Sequence, residues 1–261
     1  MPLSFKKLFA CVVIASTLVG CDGSGSSTEG SGASSQGLRG STARMALIDN
    51  FLYAISGNVI QLFNVEDGNN PALWASVQLD FGIETLFPYG DFLLVGADSG
   101  VFILNNADRA NPELIGEFIH ATAVDPVVAR DNIAYVTLSR DPAQFPTENT
   151  DRMDVVDISD PTNPQLIFTV DMQGPRGLTI DGELLHVCDG EGGIKTFSLE
   201  NPREPTLQFV LPNDRCVDMI LTGDILITIN EDGITQYDVT TGRPMQISQL
   251  RREPVIYLLN P

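Results

Sequence analysis

The sequence predicts an all-β fold, a β-propeller of four-stranded antiparallel blades. Three observations lead there: an apolar strand recurring at a nearly fixed spacing, a second strand in the same register, and a polar turn ending in proline. The first column reads "NFLYAIS" from Asn50, "DFLLVGA" from Asp91, "NIAYVTL" from Asn132, "ELLHVCD" from Glu183 and "DILITIN" from Asp224, spaced by 41, 41, 51 and 41 residues. The second reads "VIQLFNV", "GVFILNN", "MDVVDIS", "GIKTFSL" and "GITQYDV". Its turns end at Pro71, Pro112, Pro164, Pro205 and Pro244, spaced by 41, 52, 41 and 39 residues. Two columns that agree over five copies define a repeat, and a period near 41 residues is that of a propeller blade.

Each repeat carries four short strands. In the fourth they fall at 176–181, 184–189, 194–199 and 206–211, rich in aliphatic, aromatic and β-branched residues. Asp181-Gly182 and Gly190 to Gly193 make tight links between the first three, so the unit reads as a meander. No helix longer than a turn is expected after the N-terminal segment. One meander cannot bury both of its faces, so such units stack around an axis. A parallel β-helix competes poorly, because it wants a shorter period. The repeats span about 42–81, 82–120, 123–171, 174–211 and 215–250, all within a domain from 42 to 261. A surplus strand at 254–259 resembles a sixth innermost strand. Five blades are expected, with that strand extra or exchanging near the closure; six blades are the alternative.

Ahead of the repeats lies a different kind of chain. Lys6 and Lys7 precede the apolar run "LFACVVIASTLVG", which is too short to span a bilayer comfortably. It ends in Leu18-Val19-Gly20-Cys21, which resembles the bacterial lipobox. That resemblance implies a lipoprotein signal peptide at 1–20 and a diacylated Cys21, with the membrane reached through this lipid anchor. Residues 21–41 are Gly/Ser-rich and cannot bury a core. They read as a tether of about 20 residues with a reach on the order of 25 Å. Asp22 resembles an inner-membrane retention signal.

The formal net charge is −19, from 15 basic and 34 acidic residues. Beyond the signal segment Lys195 is the only lysine. A field of that sign repels phosphate backbones and excludes nucleic acid as a partner.

The turn string "MDVVDISDPTNPQL", with "NPREPTLQFVL" and "RANPELIGEF", is similar to the LVIVD-repeat family of bacterial and archaeal surface proteins. The likeness is close in the third repeat and degenerate in the first and fifth, which have "VEDGNNP" and "VTTGRP". It implies a propeller-like, exported protein and brings no catalytic residues with it.

Candidate chemistry sits at the channel mouth, where the innermost strands begin. That level carries Arg44, Glu84, Asp125, Arg176 and Asp218, with Arg215 nearby. Such a ring either holds a ligand, offers a carboxylate pair for hydrolysis, or merely neutralises itself around a narrow channel. The acidic turns "DGEGG" and "NEDG" lack the ligand alternation of a calcium loop. His120 and His186 do not make a zinc set. No metal, no cofactor and no catalytic residue is assigned.

Cys188 ends a second strand and Cys216 begins the next blade's first, so a disulfide between them is expected to close 27 intervening residues. The insertion at 139–152 departs most from the repeat. Its Arg140, Phe145 and Arg152 are the recognition candidates. The expected function is a non-enzymatic, lipid-anchored binding or scaffold protein of the bacterial envelope, facing the periplasm or the exterior. Its partner would be an unidentified envelope protein or surface component. An exported hydrolase of a glycan or lactone is the alternative.

Overall fold

The computed structural model describes residues 43–80, 82–120, 126–139, 151–212 and 214–253. The signal segment, Cys21, the tether, Asp125, Arg140, Phe145 and the surplus strand at 254–259 lie outside the described residues. Among the described residues, twenty strands form five four-stranded sheets, each a simple antiparallel meander. Blade 1 is β1 (Met45–Ile48), β2 (Phe51–Ser56), β3 (Val59–Asn64) and β4 (Ala72–Gln78). Blade 2 is β5 (Ile83–Tyr89), β6 (Phe92–Ala97), β7 (Gly100–Asn105) and β8 (Glu113–Ile119). Blade 3 is β9 (Val127–Arg130), β10 (Ile133–Leu138), β11 (Arg152–Asp157) and β12 (Gln165–Asp171). Blade 4 is β13 (Leu178–Asp181), β14 (Leu184–Cys188), β15 (Ile194–Ser198) and β16 (Thr206–Leu211). Blade 5 is β17 (Asp218–Thr222), β18 (Ile225–Asn230), β19 (Gly233–Asp238) and β20 (Met245–Arg251). The chain is therefore a five-bladed β-propeller, and the six-bladed alternative is set aside for the described residues.

The second strands are apolar at consecutive positions because interior blades are buried on both faces. In β6, Leu93 and Val95 join the core shared with blade 1, whereas Leu94 joins the core shared with blade 3. In β10, Ala134 and Val136 face blade 2, and Ile133 and Tyr135 face blade 4. Blades 4 and 5 share Cys188, Ile194, Met219, Leu226 and Tyr237. Four inter-blade cores result, and the described residues form none between blade 5 and blade 1.

The outer strand of every blade carries a bulge at the same place. The β3–β4 register passes from Leu62↔Ala75 to Phe63↔Leu73 and leaves Trp74 without a partner. Ile115, Ile167, Gln208 and Ile247 are skipped in the same way. Each is the third residue after its turn proline. One extra residue bends the outer strand and increases its twist.

The proline turns hold themselves and then hold their neighbours. Asp157 accepts hydrogen bonds from the Ser159 amide at 2.9 Å and hydroxyl at 2.6 Å. Asp160 does the same for Thr162 at 3.0 and 2.7 Å. Asn105 and Asp108 in blade 2 cap the amides two residues on, as do Asn201 in blade 4 and Asp238 in blade 5. These Asx turns fix the backbone that the prolines stiffen. The Ser159 hydroxyl and amide, then the Arg203 guanidinium, lower the Asp157 carboxyl to about 2.

From the previous blade, Tyr53 donates its buried hydroxyl to Asn106 at 2.9 Å and to the Arg109 carbonyl at 2.7 Å. Tyr135 donates to the Pro202 carbonyl at 2.9 Å. Arg109 and Pro202 each lie three residues before the turn proline, so the same tether recurs at two interfaces. At the interface between blades 2 and 3, Gly116 replaces the tether with close approach. A Cβ there would collide with the Pro161 carbonyl oxygen and crowd Thr162.

Gly116→Ala is therefore expected to cost roughly 2–4 kcal/mol. Gly68→Ala, with open space around its Cβ position, should stay within about 0.5 kcal/mol of wild type. Urea denaturation midpoints of the two variants check this.

Candidate functional site

Antiparallel meanders place the starts of the innermost strands, the turns between second and third strands, and the inter-blade linkers at one end of the propeller. Arg44 precedes β1 and is exposed; Glu84 lies in β5 and is half-buried. Arg176 precedes β13 and is exposed, and Asp218 opens β17, half-buried. Asp125 lies outside the described residues. Among the described residues neither Arg44 nor Arg176 has a carboxylate within ion-pair distance. Arg215 turns away from Asp218 and meets Glu191 of the "DGEGG" turn, Nη2 to Oε2 at 3.0 Å. Asp218 Oδ1 accepts the Met219 amide at 2.8 Å, and its backbone lies so near Gly177 that a Cβ there would collide with it. The level of the mouth thus carries exposed arginines and half-buried carboxylates.

Arg152 sits in β11, where its Nε binds Asp154 Oδ1 at 2.9 Å. Thr169 donates to the same oxygen at 3.0 Å, and Asp154 is fully buried. Arg152 therefore organises the sheet beside the insertion, whose residues 140–150 lie outside the described set.

Three buried acids near this end were not singled out from the sequence. Asp189 is buried and pairs with Lys195 at 2.6 Å, and it also accepts the Gln173 amide at 2.6 Å. Asp154 is the second. Asp214 accepts from Thr228 at 3.2 Å, from Asn230 at 2.9 Å and from the Tyr237 hydroxyl. Burial, then the Asp214 hydrogen bond, push the Tyr237 phenol up. The signal for one of them was present: a lone lysine inside the apolar strand "IKTFSL" requires a buried counter-charge.

Cys188 and Cys216 are joined in a disulfide with Cα atoms 5.3 Å apart. It links the end of β14 to the stretch just before β17, on the side of the blade 4–5 core that Asp189 and Asp214 flank. The turn between Asp189 and Ile194 is a single 3₁₀ turn, Gly190–Gly192. Gly193 leaves it at φ +79, with the Leu211 carbonyl where a Cβ would stand. That packing makes it a tight link between β14 and β15. No cluster of metal-ligating side chains occurs among the described residues. A shallow polar recess of about 230 Å³ lies beside Asn105, Asp108, Asn111 and Glu113 on the blade 2 turn.

His186 occupies the strand column of Tyr53 and Tyr135 and is fully buried. Its Nδ1 lies 2.9 Å from the Thr196 hydroxyl. Burial lowers the imidazole to about 4.

The fold defines a five-bladed β-propeller, and its third blade carries a repeat of a known family. Residues 149–172 match the family model of the LVIVD repeat. No curated protein matches the sequence significantly. Among solved structures, a protein from Lactobacillus plantarum aligns with a TM-score of 0.63 at 14% identity, over 77% of this chain and 67% of that one. The periplasmic gluconolactonase of Pseudomonas aeruginosa aligns with a TM-score of 0.60 at 11% identity, over 77% and 67%. BamB of Moraxella catarrhalis aligns with a TM-score of 0.55 at 8% identity, over 73% and 55%. The chain spans about two thirds or less of each, and likeness at such identities shows the fold alone.

Replacing Cys188 and Cys216 together by alanine should cost roughly 3.5 kcal/mol, the loop-closure value for this span; guanidinium unfolding of the double variant measures it. A second expectation concerns acid. Between about pH 6.5 and 4 the unfolded chain takes up a proton at His186 that the folded chain refuses. Stability should therefore fall as pH drops through that window, by about 3 kcal/mol at its lower end. His186→Gln should flatten that part of the stability–pH curve.

Proposed function

We propose that this is an exported, lipid-anchored propeller that works by binding another protein of the bacterial envelope. The observation that carries the binding role is β20. All seven of its residues are exposed, including Met245, Ile247 and Leu250 at 60%, 54% and 70%. An outermost strand with apolar side chains and an unpaired backbone edge is a template for an extended segment from a partner. Its apolar residues are also the type that marks an interaction surface when grouped.

Export is supported by the Cys188–Cys216 disulfide, a bond kept in oxidising compartments, and by the basic, apolar and L-V-G-C order of residues 1–21. Anchoring through Cys21 and a Gly/Ser tether leaves the propeller free to search near the membrane. A second reading, hydrolysis of a lactone or glycan, is favoured by Glu84 and Asp218 beside exposed Arg44 and Arg176. The likeness to a periplasmic gluconolactonase lends it the fold only.

Cys21→Ser should move the folded protein from the membrane pellet to the soluble fraction and abolish incorporation of labelled palmitate. Sedimentation with membrane despite the substitution overturns the anchor. In envelope crosslinking, the wild type should recover a stoichiometric partner that Met245→Asp with Leu250→Asp loses at least tenfold. Turnover of a lactone or glycan by the purified chain, abolished by Glu84→Gln or Asp218→Asn, would replace the binding reading with the hydrolytic one.

A further inference from the structure

The faces of blades 1 and 5 that look away from their neighbours are both apolar. On blade 1, Met45 and Leu47 alternate with Ala46 and Ile48, which enter the core shared with blade 2. Met45 and Leu47 are exposed at 64% and 61%. Their partners across the ladder, Ala54 and Leu52, share that open face. On blade 5, Met219, Leu221, Leu226 and Tyr237 are buried toward blade 4. The opposite face presents Ile220 and Ile227, paired across the ladder, and Ile229 with Ile234. Ile229 and Ile234 are exposed at 45% and 38%. At the other four junctions the corresponding residues are buried or half-buried, as Leu86, Val127, Leu178 and Met219 are in the place of Met45.

We propose that the chain's own residues 256–259 supply a further innermost strand that seats in this seam, one face on blade 5 and the other on blade 1. Three observations select this occupant over a second copy of the chain. The first is spacing. Each innermost strand of blades 2 to 5 begins five to eight residues after the preceding outer strand ends, at Gln78 and Ile83, Ile119 and Val127, Asp171 and Leu178, and Leu211 and Asp218. β20 ends at Arg251, and five residues on is Ile256. The second is pattern. Tyr257 and Leu259 would lie on one side of an extended strand, and Ile256 and Leu258 on the other. A strand apolar on both sides requires burial on both sides, which the seam provides and a blade edge does not. The third is the docking mode already used. β5, β9 and β17 each pack against the first and second strands of the blade before them. The equivalent surface on blade 5 is β17 and β18, where Ile220, Ile227 and Ile229 are waiting.

All five described blades already contain four strands, so this segment completes none of them. It acts as a wedge, a one-strand stand-in for a sixth blade. β20 stays uncovered, because the wedge occupies the axial part of the seam.

The test uses the full mature chain with Cys21→Ser, in which Cys188 and Cys216 are bonded to each other. With Leu47→Cys added, alkylation of the new thiol should be at least tenfold slower than in the same chain also carrying Tyr257→Asp and Leu258→Asp. With Leu47→Cys and Leu258→Cys together, mild oxidation should give a crosslink within one chain, unaffected by tenfold dilution. Equal alkylation rates in the presence and absence of the aspartates overturn the proposal. So does a crosslink that joins two chains and disappears on dilution, which would assign the seam to a second copy. Circular dichroism of the aspartate variant confirms that the blades remain folded, so a changed rate reports the seam.

Discussion

Burial of both faces of a sheet is the requirement from which the rest of this molecule follows. A four-stranded meander whose second strand reads Leu93, Leu94, Val95 has no polar side to offer to water. An interior blade buries both faces only between two others, and the free energy of the fold is spread over its interfaces. Blades 2, 3 and 4 have two such interfaces apiece. Blades 1 and 5 have one each among the described residues, and their remaining apolar faces are where the repeat leaves the requirement unmet.

Apolar stacking alone would let adjacent blades slide. Directional contacts at the two ends of the sheets fix the register. At one end the proline turns accept hydroxyl groups from the preceding blade, through Tyr53 and Tyr135, and Arg203 reaches back to Asp157 at 2.6 Å. At the other end the Cys188–Cys216 disulfide and the Arg215–Glu191 pair cross from blade 4 to blade 5. Asp189 with Lys195 and Asp214 with Tyr237 flank that covalent link. The tyrosine contacts put polar groups where a misplaced blade would strand them without partners, which penalises wrong packings more than it rewards the right one.

The blade count and strand order were legible in the sequence because they depend on spacing, and spacing is a property of the chain alone. The strands read at 184–189 and 206–211 in the fourth repeat lie within a residue of β14 and β16. The role of "DISDPTNP" was also readable, since Asp-x-Ser and Asp-x-Thr are local hydrogen-bonding patterns. Partners across a blade interface were not. Nothing in the neighbourhood of Arg215 says that its counter-charge is Glu191, 24 positions earlier, and nothing near Tyr53 points to the carbonyl of Arg109. Such pairings are decided by the angle between sheets. Of the buried acids, only Asp189 had a visible signal, the lone Lys195 in an apolar strand. The channel-mouth ring was legible as a set of charges at one level, yet which of them face one another depends on side-chain directions that a repeat alignment does not carry.

The bulge three residues past each turn proline divides a blade into a part that must be kept and a part that is free to change. In blades 1 to 4 ten positions separate the end of the third strand from the skipped residue; in blade 5, from Asp238 to Ile247, nine do. The bulge has kept its place relative to Pro244, and the shortening has fallen entirely in the turn ahead of it. The proline thus works as a phase marker. Insertions and deletions upstream of it alter only the rim, while the side-chain parity of the outer strand is restored at every repeat. A lineage of such chains can remodel its outer surface one blade at a time without ever turning a strand inside out.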